Sequence, residues 1–391
     1  MLISVGLAAL MAGVFGAWYA IRQEREFRRL IVTGDRALAQ DETYGAIEAF
    51  SGALALKDDS MLAHLRRGDA YRRRGELISA LRDLRQAAAL DPSAPDPVEL
   101  SGDVNVAMGR YALAAEDYKA FTLIDDRSPR VLYKLAMAYY RNQQLEEAIV
   151  PLRSAIALDA RLAEAHYLLG VCLRERSEIE EARQALTTAL EISPTFAAAR
   201  EELVNLYEAS GRRREAVEQL EALAALEPTH PERLVNVGIA YANWGRTDAA
   251  VLTLARAADR FPDEPSVRTA LGRVWLAEAE REGDPVALEK ALEALKPSAS
   301  SPTASGEALT LLGRVLLLSG EVRLAERTLV DAARHPPADP VTFRHLADAA
   351  ERLGHIPLAQ EALLRYVALI GENDVDRQTA EQIDRLKMQR Q

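Results

Sequence analysis

An alanine returns every 34 residues. Ala46, Ala80, Ala114, Ala148, Ala182, Ala216 and Ala250 keep that step without a slip, and the phase resumes at Ala325 and Ala359. Twelve residues before each stands a small or apolar residue: Gly34, Gly68, Gly102, Ala136, Gly170, Val204, Gly238, Gly313 and Ala347. Four residues after each stands a bulky apolar one: Phe50, Leu84, Tyr118, Leu152, Leu186, Leu220, Leu254, Leu329 and Leu363. In the stretch 231–264, Leu234, Val237 and Tyr241, then Ala250, Leu254 and Ala257, fall at helical spacing on either side of a turn at 243–246. Neither short helix can bury its apolar stripe alone, so each module needs copies of itself on both sides. The chain is thereby limited to a stack of helical hairpins.

The order of small residue, alanine, bulky apolar residue and closing proline (Pro92, Pro194, Pro228, Pro262, Pro337) resembles the tetratricopeptide repeat (TPR) family over residues 27–373. The resemblance implies an all-α, right-handed superhelical solenoid of about ten helix-turn-helix repeats. They start at Phe27, Met61, Pro95, Pro129, Ala163, Ala197, Pro231, Pro265, Gly306 and Pro340. The eighth, 265–305, is irregular. Its turn 281–285 is longer, its alanine is expected at Ala287, and 296–306 reads as a Pro/Ser/Ala loop and a joint. Val375, Thr379, Ile383 and Leu386 form one stripe, so 374–391 is expected to be a capping helix with a polar outer face.

Residues 1–21 carry no charged side chain. At ~1.5 Å per residue they span about 31 Å, close to a ~30 Å hydrocarbon core. Trp18 and Tyr19 sit where an interfacial belt belongs, and Arg22, Arg25, Arg28 and Arg29 follow. The expectation is a transmembrane helix over 1–21 and a basic juxtamembrane segment over 22–26. That makes a single-pass protein of the inner (cytoplasmic) membrane with its repeats in the cytoplasm. A cleaved signal peptide fits less well, because no basic residue precedes the apolar run and Trp18-Tyr19-Ala20 is a poor cleavage site. Gly6, Ala9, Gly13, Gly16 and Ala20 share one stripe that would let this helix pack against another, a partner membrane protein included. In arrangement the anchor, basic flank and repeats resemble the lipopolysaccharide assembly protein B family, without its C-terminal cysteine-pair metal module. That resemblance implies a scaffold in bacterial envelope assembly. The other reading is an exported periplasmic TPR protein of a secretion, pilus or polysaccharide-export system.

The formal charge of −11 argues against a nucleic-acid partner. The charge is uneven: residues 22–91 hold 13 Lys/Arg against 12 Asp/Glu. The single cysteine, Cys172, falls at a register position facing the inside of a helix pair, and reads as buried and inert. None of the six histidines pairs with a second ligand at a metal spacing. Phosphate-loop, Gly-x-Ser-x-Gly and His-Glu-x-x-His motifs are missing. The reading is of a non-enzyme with no cofactor, metal or small-molecule substrate.

Recognition is expected in the groove that, in the TPR family, is lined by the first helix of each repeat. The resemblance puts Asp69, Arg72 and Arg73 of repeat two there. From repeats four and five it adds Tyr133, Met137, Tyr140, Arg141, Tyr167, Val171 and Arg174. Tyrosine, arginine and an adaptable methionine are residues that protein interfaces favour, so the implied partners are proteins or peptides. The family's carboxylate clamp is incomplete. Asn205 and Asn236 fall in its asparagine positions, but Glu201, Ser266 and Ala270 stand where cations belong.

Overall fold

The computed structural model describes residues 2–337, 339–371 and 374–388, with side chains described between 13 and 386. Its elements are α-helices, and no strand occurs among the described residues. They fall into two compact units, Met1–Ala199 and Arg200–Gln391. The first holds α1 (Leu2–Ala39), α2 (Thr43–Leu56), α3 (Met61–Arg73), α4 (Leu77–Leu90), α5 (Pro95–Ala107), α6 (Tyr111–Ile124), α7 (Pro129–Arg141), α8 (Leu145–Leu158), α9 (Ala163–Glu175) and α10 (Ile179–Ile192). The division falls within α11 (Ala197–Ala209). The second unit continues with α12 (Arg213–Leu226), α13 (Pro231–Asn243), α14 (Thr247–Arg260), α15 (Pro265–Glu282) and α16 (Pro285–Ala299). It ends with α17 (Gly306–Leu318), α18 (Val322–Ala332), α19 (Pro340–Arg352), α20 (Ile356–Ile370) and α21 (Arg377–Met388).

Each hairpin is closed by one residue in the left-handed region. Gly75, Gly109, Gly211 and Gly245 supply it, and Asp41, Gln143 and Ser177 take the same register point in three other turns. At Gly75 the turn is locked by Glu76 N–H donating to the Tyr71 carbonyl at 2.9 Å. Proline opens α5, α7, α13, α15 and α19, where the missing N–H costs nothing.

The small residue of the pattern has a steric cause. A Cβ added at Gly170 would sit 2.6 Å from Leu186 Cγ and 3.2 Å from the Ala182 carbonyl oxygen. Gly68 meets Leu84, Gly102 meets Tyr118 and Gly313 meets Leu329 in the same way. The periodic alanines are fully buried, Ala46, Ala80, Ala114, Ala148, Ala182, Ala250, Ala325 and Ala359 among them. Alanine, glycine and leucine thus build one interface of close-approaching backbones, each buried leucine contributing about 1.5–3 kcal/mol.

The eighth hairpin departs from the expectation. Leu295 packs on Gly272, 23 residues on, where Leu254 packs on Gly238 after 16. Ala291, four before Leu295, therefore takes the alanine's place, and Ala287 is buried one turn earlier. Helix α15 runs on to Glu282, which leaves only Gly283 and Asp284 as the turn. The open segment expected from Lys296 is helical through Ala299. Pro297 lies inside α16, and the buried Ser298 donates to the Leu295 carbonyl at 3.1 Å. A proline in the last turn of a helix forfeits one hydrogen bond and stops little else, so Pro/Ser composition hid a helix end.

The expected membrane anchor is also corrected. Among the described residues no helix is long and apolar enough to cross a membrane, which overturns the single-pass inner-membrane localisation and its transmembrane segment. Helix α1 continues without a break into Arg22, Glu24, Arg25 and Glu26. Of the expected packing stripe, Gly6 and Ala9 lie outside the described side chains. Gly13 and Gly16 have nothing within 4 Å of where a Cβ would stand, and Ala20 is exposed. The envelope-assembly role rested on that anchor and on nothing in the repeats.

At the other end, Leu386 of α21 is fully buried, and Gln382 donates to Glu351 at 2.6 Å and to Asp348 at 3.1 Å.

Candidate functional site

In the first unit, α7 and α9 stand side by side as the first helices of successive hairpins. Ser128 caps α7 and Pro129 opens it. Val131, Leu135 and Ala138 turn into the core. Tyr133, Met137 and Tyr140, spaced i, i+4 and i+7, are left half-buried on another face. Tyr167, Val171 and Arg174 repeat that stripe on α9, 34 residues on.

The tyrosines form one patch. Tyr140 donates through its hydroxyl to Glu175 at 3.1 Å. Tyr167 lies against Phe196, with ring centroids 4.9 Å apart and planes tilted by 44°. Burial holds the Tyr133 phenol above its ordinary value, with Glu164 and Tyr167 adding and Arg141 opposing. Tyr140 is raised as well, first by burial and then by Glu175. Both phenols thus stay protonated donors at neutral pH. Arg174 lies 3.8 Å from Glu175, and Arg141 is exposed at the end of α7. The patch is amphipathic: aromatic faces with hydroxyl, carboxylate and guanidinium groups around them.

Arg72 and Arg73 belong to a different place. Asp69, itself buried, accepts from Arg72 at 2.6 Å and from Arg73 at 2.9 Å. They line a cleft of about 350 Å³ with Glu99, Asp103 and Arg130. Glu99 accepts from Arg130 at 2.9 Å and from Lys134 at 2.8 Å, and Lys134 also reaches Asp103 at 2.6 Å. Cations here are already neutralised by the chain's own carboxylates, so a ligand gains little by replacing them. The expected residues therefore separate into an aromatic patch on α7 and α9 and an ion-paired cleft on α3 and α5.

Two features escaped the sequence reading. Phe196, which packs on Tyr167, sits outside the register positions considered, whereas Glu175, which accepts from Tyr140, stands at the counterpart of Arg141 but is not among the expected groove residues. In the second unit, α15, α17 and α19 line a polar cleft of about 690 Å³ that includes Arg273, Glu280, Arg314, Arg344 and His345. Arg273 is paired with Glu307, and Arg314 meets Glu280 at 2.8 Å. Arg344 falls at the register position of Tyr133 and Tyr167, and Arg273 and Arg314 at that of Met137 and Val171, a signal available in repeats eight to ten. Glu201 of the incomplete clamp accepts from Arg233 at 2.7 Å. Among the described residues no three His, Cys, Asp or Glu side chains are grouped to hold a metal.

Family models described as tetratricopeptide or TPR repeat match residues 32–95, 138–173, 173–234 and 209–274, together more than half of the chain. The chain belongs to the tetratricopeptide repeat family, and is a scaffold for protein–protein interaction.

Among solved structures it is similar to the C-terminal part of a TPR repeat-containing protein from Cytophaga hutchinsonii. That match has 17% identity and a TM-score of 0.54, and covers 63% of this chain and 99% of that one. It is also similar to MamA, at 28% identity and a TM-score of 0.41 over 41% of this chain and 95% of that one. A third is YrrB, described as a TPR protein with an unusual peptide-binding site, at 24% identity and a TM-score of 0.43 over 48% of this chain and 97% of that one. No curated protein matches the chain.

Proposed function

We propose that the protein is a peptide-binding adaptor whose first unit takes a partner segment against Tyr133, Tyr140 and Tyr167. The observation that carries this is the aromatic patch itself. Three half-buried tyrosines on adjacent helices, with a methionine beside them, offer large contact area at small cost in side-chain entropy. The partner segment carries an apolar side chain for the ring faces and a hydrogen-bond acceptor for a phenol. Arg141 and Arg174 stand at the rim and serve orientation more than affinity. The ion-paired cleft of Arg72 and Arg73 contributes less, since its charges are already satisfied.

The test is crosslinking capture from the native cell with the full chain, set beside Tyr140→Ala/Tyr167→Ala. A central pair of this kind is worth about 2 kcal/mol, so capture of the true partner falls roughly thirtyfold. Helicity should hold, because both side chains are only half-buried. Unchanged capture with intact helicity would place the binding surface elsewhere.

A further inference from the structure

The second helices of the first unit carry a groove that no part of the aromatic site touches. It measures about 480 Å³ and is lined by Ile78, Leu81, Arg82, Arg85 and Gln86 of α4 and by Arg110 at the start of α6. Ile78 is 76% exposed, an unusual position for isoleucine, while Leu81 is buried at the base. The turn residue Gly109, at φ +70°, brings the chain round to Arg110, whose N–H donates to the Asn105 carbonyl at 2.8 Å. Arg110 is thus set in place by backbone geometry.

Among the described residues none of the three guanidiniums has a carboxylate at ion-pair distance. The acids of α4 and its caps are all engaged elsewhere. Asp83 turns inward and accepts from Arg67 at 2.6 and 2.8 Å, with His64 at 3.1 Å. Glu76 is taken by Arg74 at 2.9 Å, and Asp91 accepts from Ser93 at 2.7 Å. Across the groove Asp117 is bound to Asn105 at 2.6 Å and lies partly inside. Arg85 influences it from a distance, and burial still holds its carboxyl above the usual range. The result is three unpaired arginines around an apolar strip, in a chain of net charge −11.

We propose that this groove docks an acidic peptide segment, with carboxylates on Arg82, Arg85 and Arg110 and an aliphatic side chain on Ile78 and Leu81. Guanidinium forks pair with carboxylates in a defined plane, and partly dry surroundings strengthen the pairing. An extended polyanion is disfavoured, because the basic strip is one helix long on a negatively charged molecule that repels it. This site lies on the second helices, whereas the tyrosines lie on first helices, so the two stand or fall independently.

The test is fluorescence anisotropy with the full chain and a labelled twelve-residue peptide that alternates glutamate and leucine pairs. Binding is expected at low salt. It weakens about tenfold or more in Arg82→Glu/Arg85→Glu and severalfold in Ile78→Ala. Both substitutions are at exposed positions, and circular dichroism confirms that helicity is kept. Tyr140→Ala/Tyr167→Ala leaves this binding unchanged. A peptide with lysine for glutamate does not bind, and one with serine for leucine binds more weakly.

Four results would overturn the proposal. They are no binding of the acidic peptide, equal binding by the charge-reversed variant, equal binding of the serine peptide, or tighter binding of a twenty-nucleotide RNA or of phosphatidylserine vesicles through the same arginines.

Discussion

Replacing Gly170 by alanine tests whether helix-to-helix approach sets the repeat. The added methyl would lie 2.6 Å from Leu186 Cγ, 2.9 Å from its Cδ2 and 3.2 Å from the Ala182 carbonyl. Carbon atoms pack best at roughly 3.5–4.0 Å, so the shortfall is about 1 Å. Leu186 is fully buried and cannot swing aside, and the carbonyl belongs to the helix backbone. Overpacking of this kind costs about 1–3 kcal/mol. Alanine returns about 1 kcal/mol of helix propensity, so the net loss is on the order of 1 kcal/mol. Leu186→Ala alone should cost about 2–5 kcal/mol through its cavity. In the double variant the new methyl enters that cavity, so the two effects fall short of their sum by about 1 kcal/mol or more. Stacked repeats open locally rather than all at once, so the fitting assay is hydrogen exchange of α9 and α10 amides. A Gly170→Ala protein that gains about 1 kcal/mol, with no coupling to Leu186, would refute the reasoning. Repeat four carries the counterpart with a methyl, Ala136 against Leu152, both fully buried, so that hairpin is already spaced for it.

Two further outcomes follow from buried groups. Burial, and then Arg314 and Arg344, push the His345 imidazole down from 6.5 to about 4. The unfolded chain takes up a proton in that window which the folded chain refuses. The contribution of His345 is therefore complete above pH 6.5 and is lost as pH falls toward 4. It is worth at most about 3 kcal/mol. Thermal midpoints over that range should fall less steeply in His345→Gln, and equal slopes would dismiss the linkage. Cys172 is fully buried, and burial with Glu175 pushes its thiol up to about 12. Iodoacetamide at pH 8 should label it only as fast as α9 opens, and immediate labelling of the folded protein would contradict that environment.

Sequence alone determined the helical repeat, because the cause is local and recurs. A glycine or alanine, then an alanine twelve on and a bulky residue four further, marks where two backbones touch, and any such contact must use small residues. The same periodicity put Cys172 inside a helix pair, where it lies fully buried. Tertiary structure decided whatever depended on which side chains meet. Arg72 and Arg73 read as open recognition groups, yet both are bound by Asp69, at a helical spacing of three and four that was present in the sequence and left unweighed. The tyrosines fell on groove positions from the register, but Phe196 and Glu175 reach them from other repeats and neighbouring turns. Composition misled at both irregular places. Pro297 and Ser298 read as loop although both lie within α16, Ser298 on its buried face, and the charge-free run of 1–21 read as a membrane span although no helix among the described residues is long and apolar enough to cross one. Periodicity records contacts that every repeat makes, whereas a binding surface is made from residues that differ between repeats, so its pairings appear only when the chain is folded.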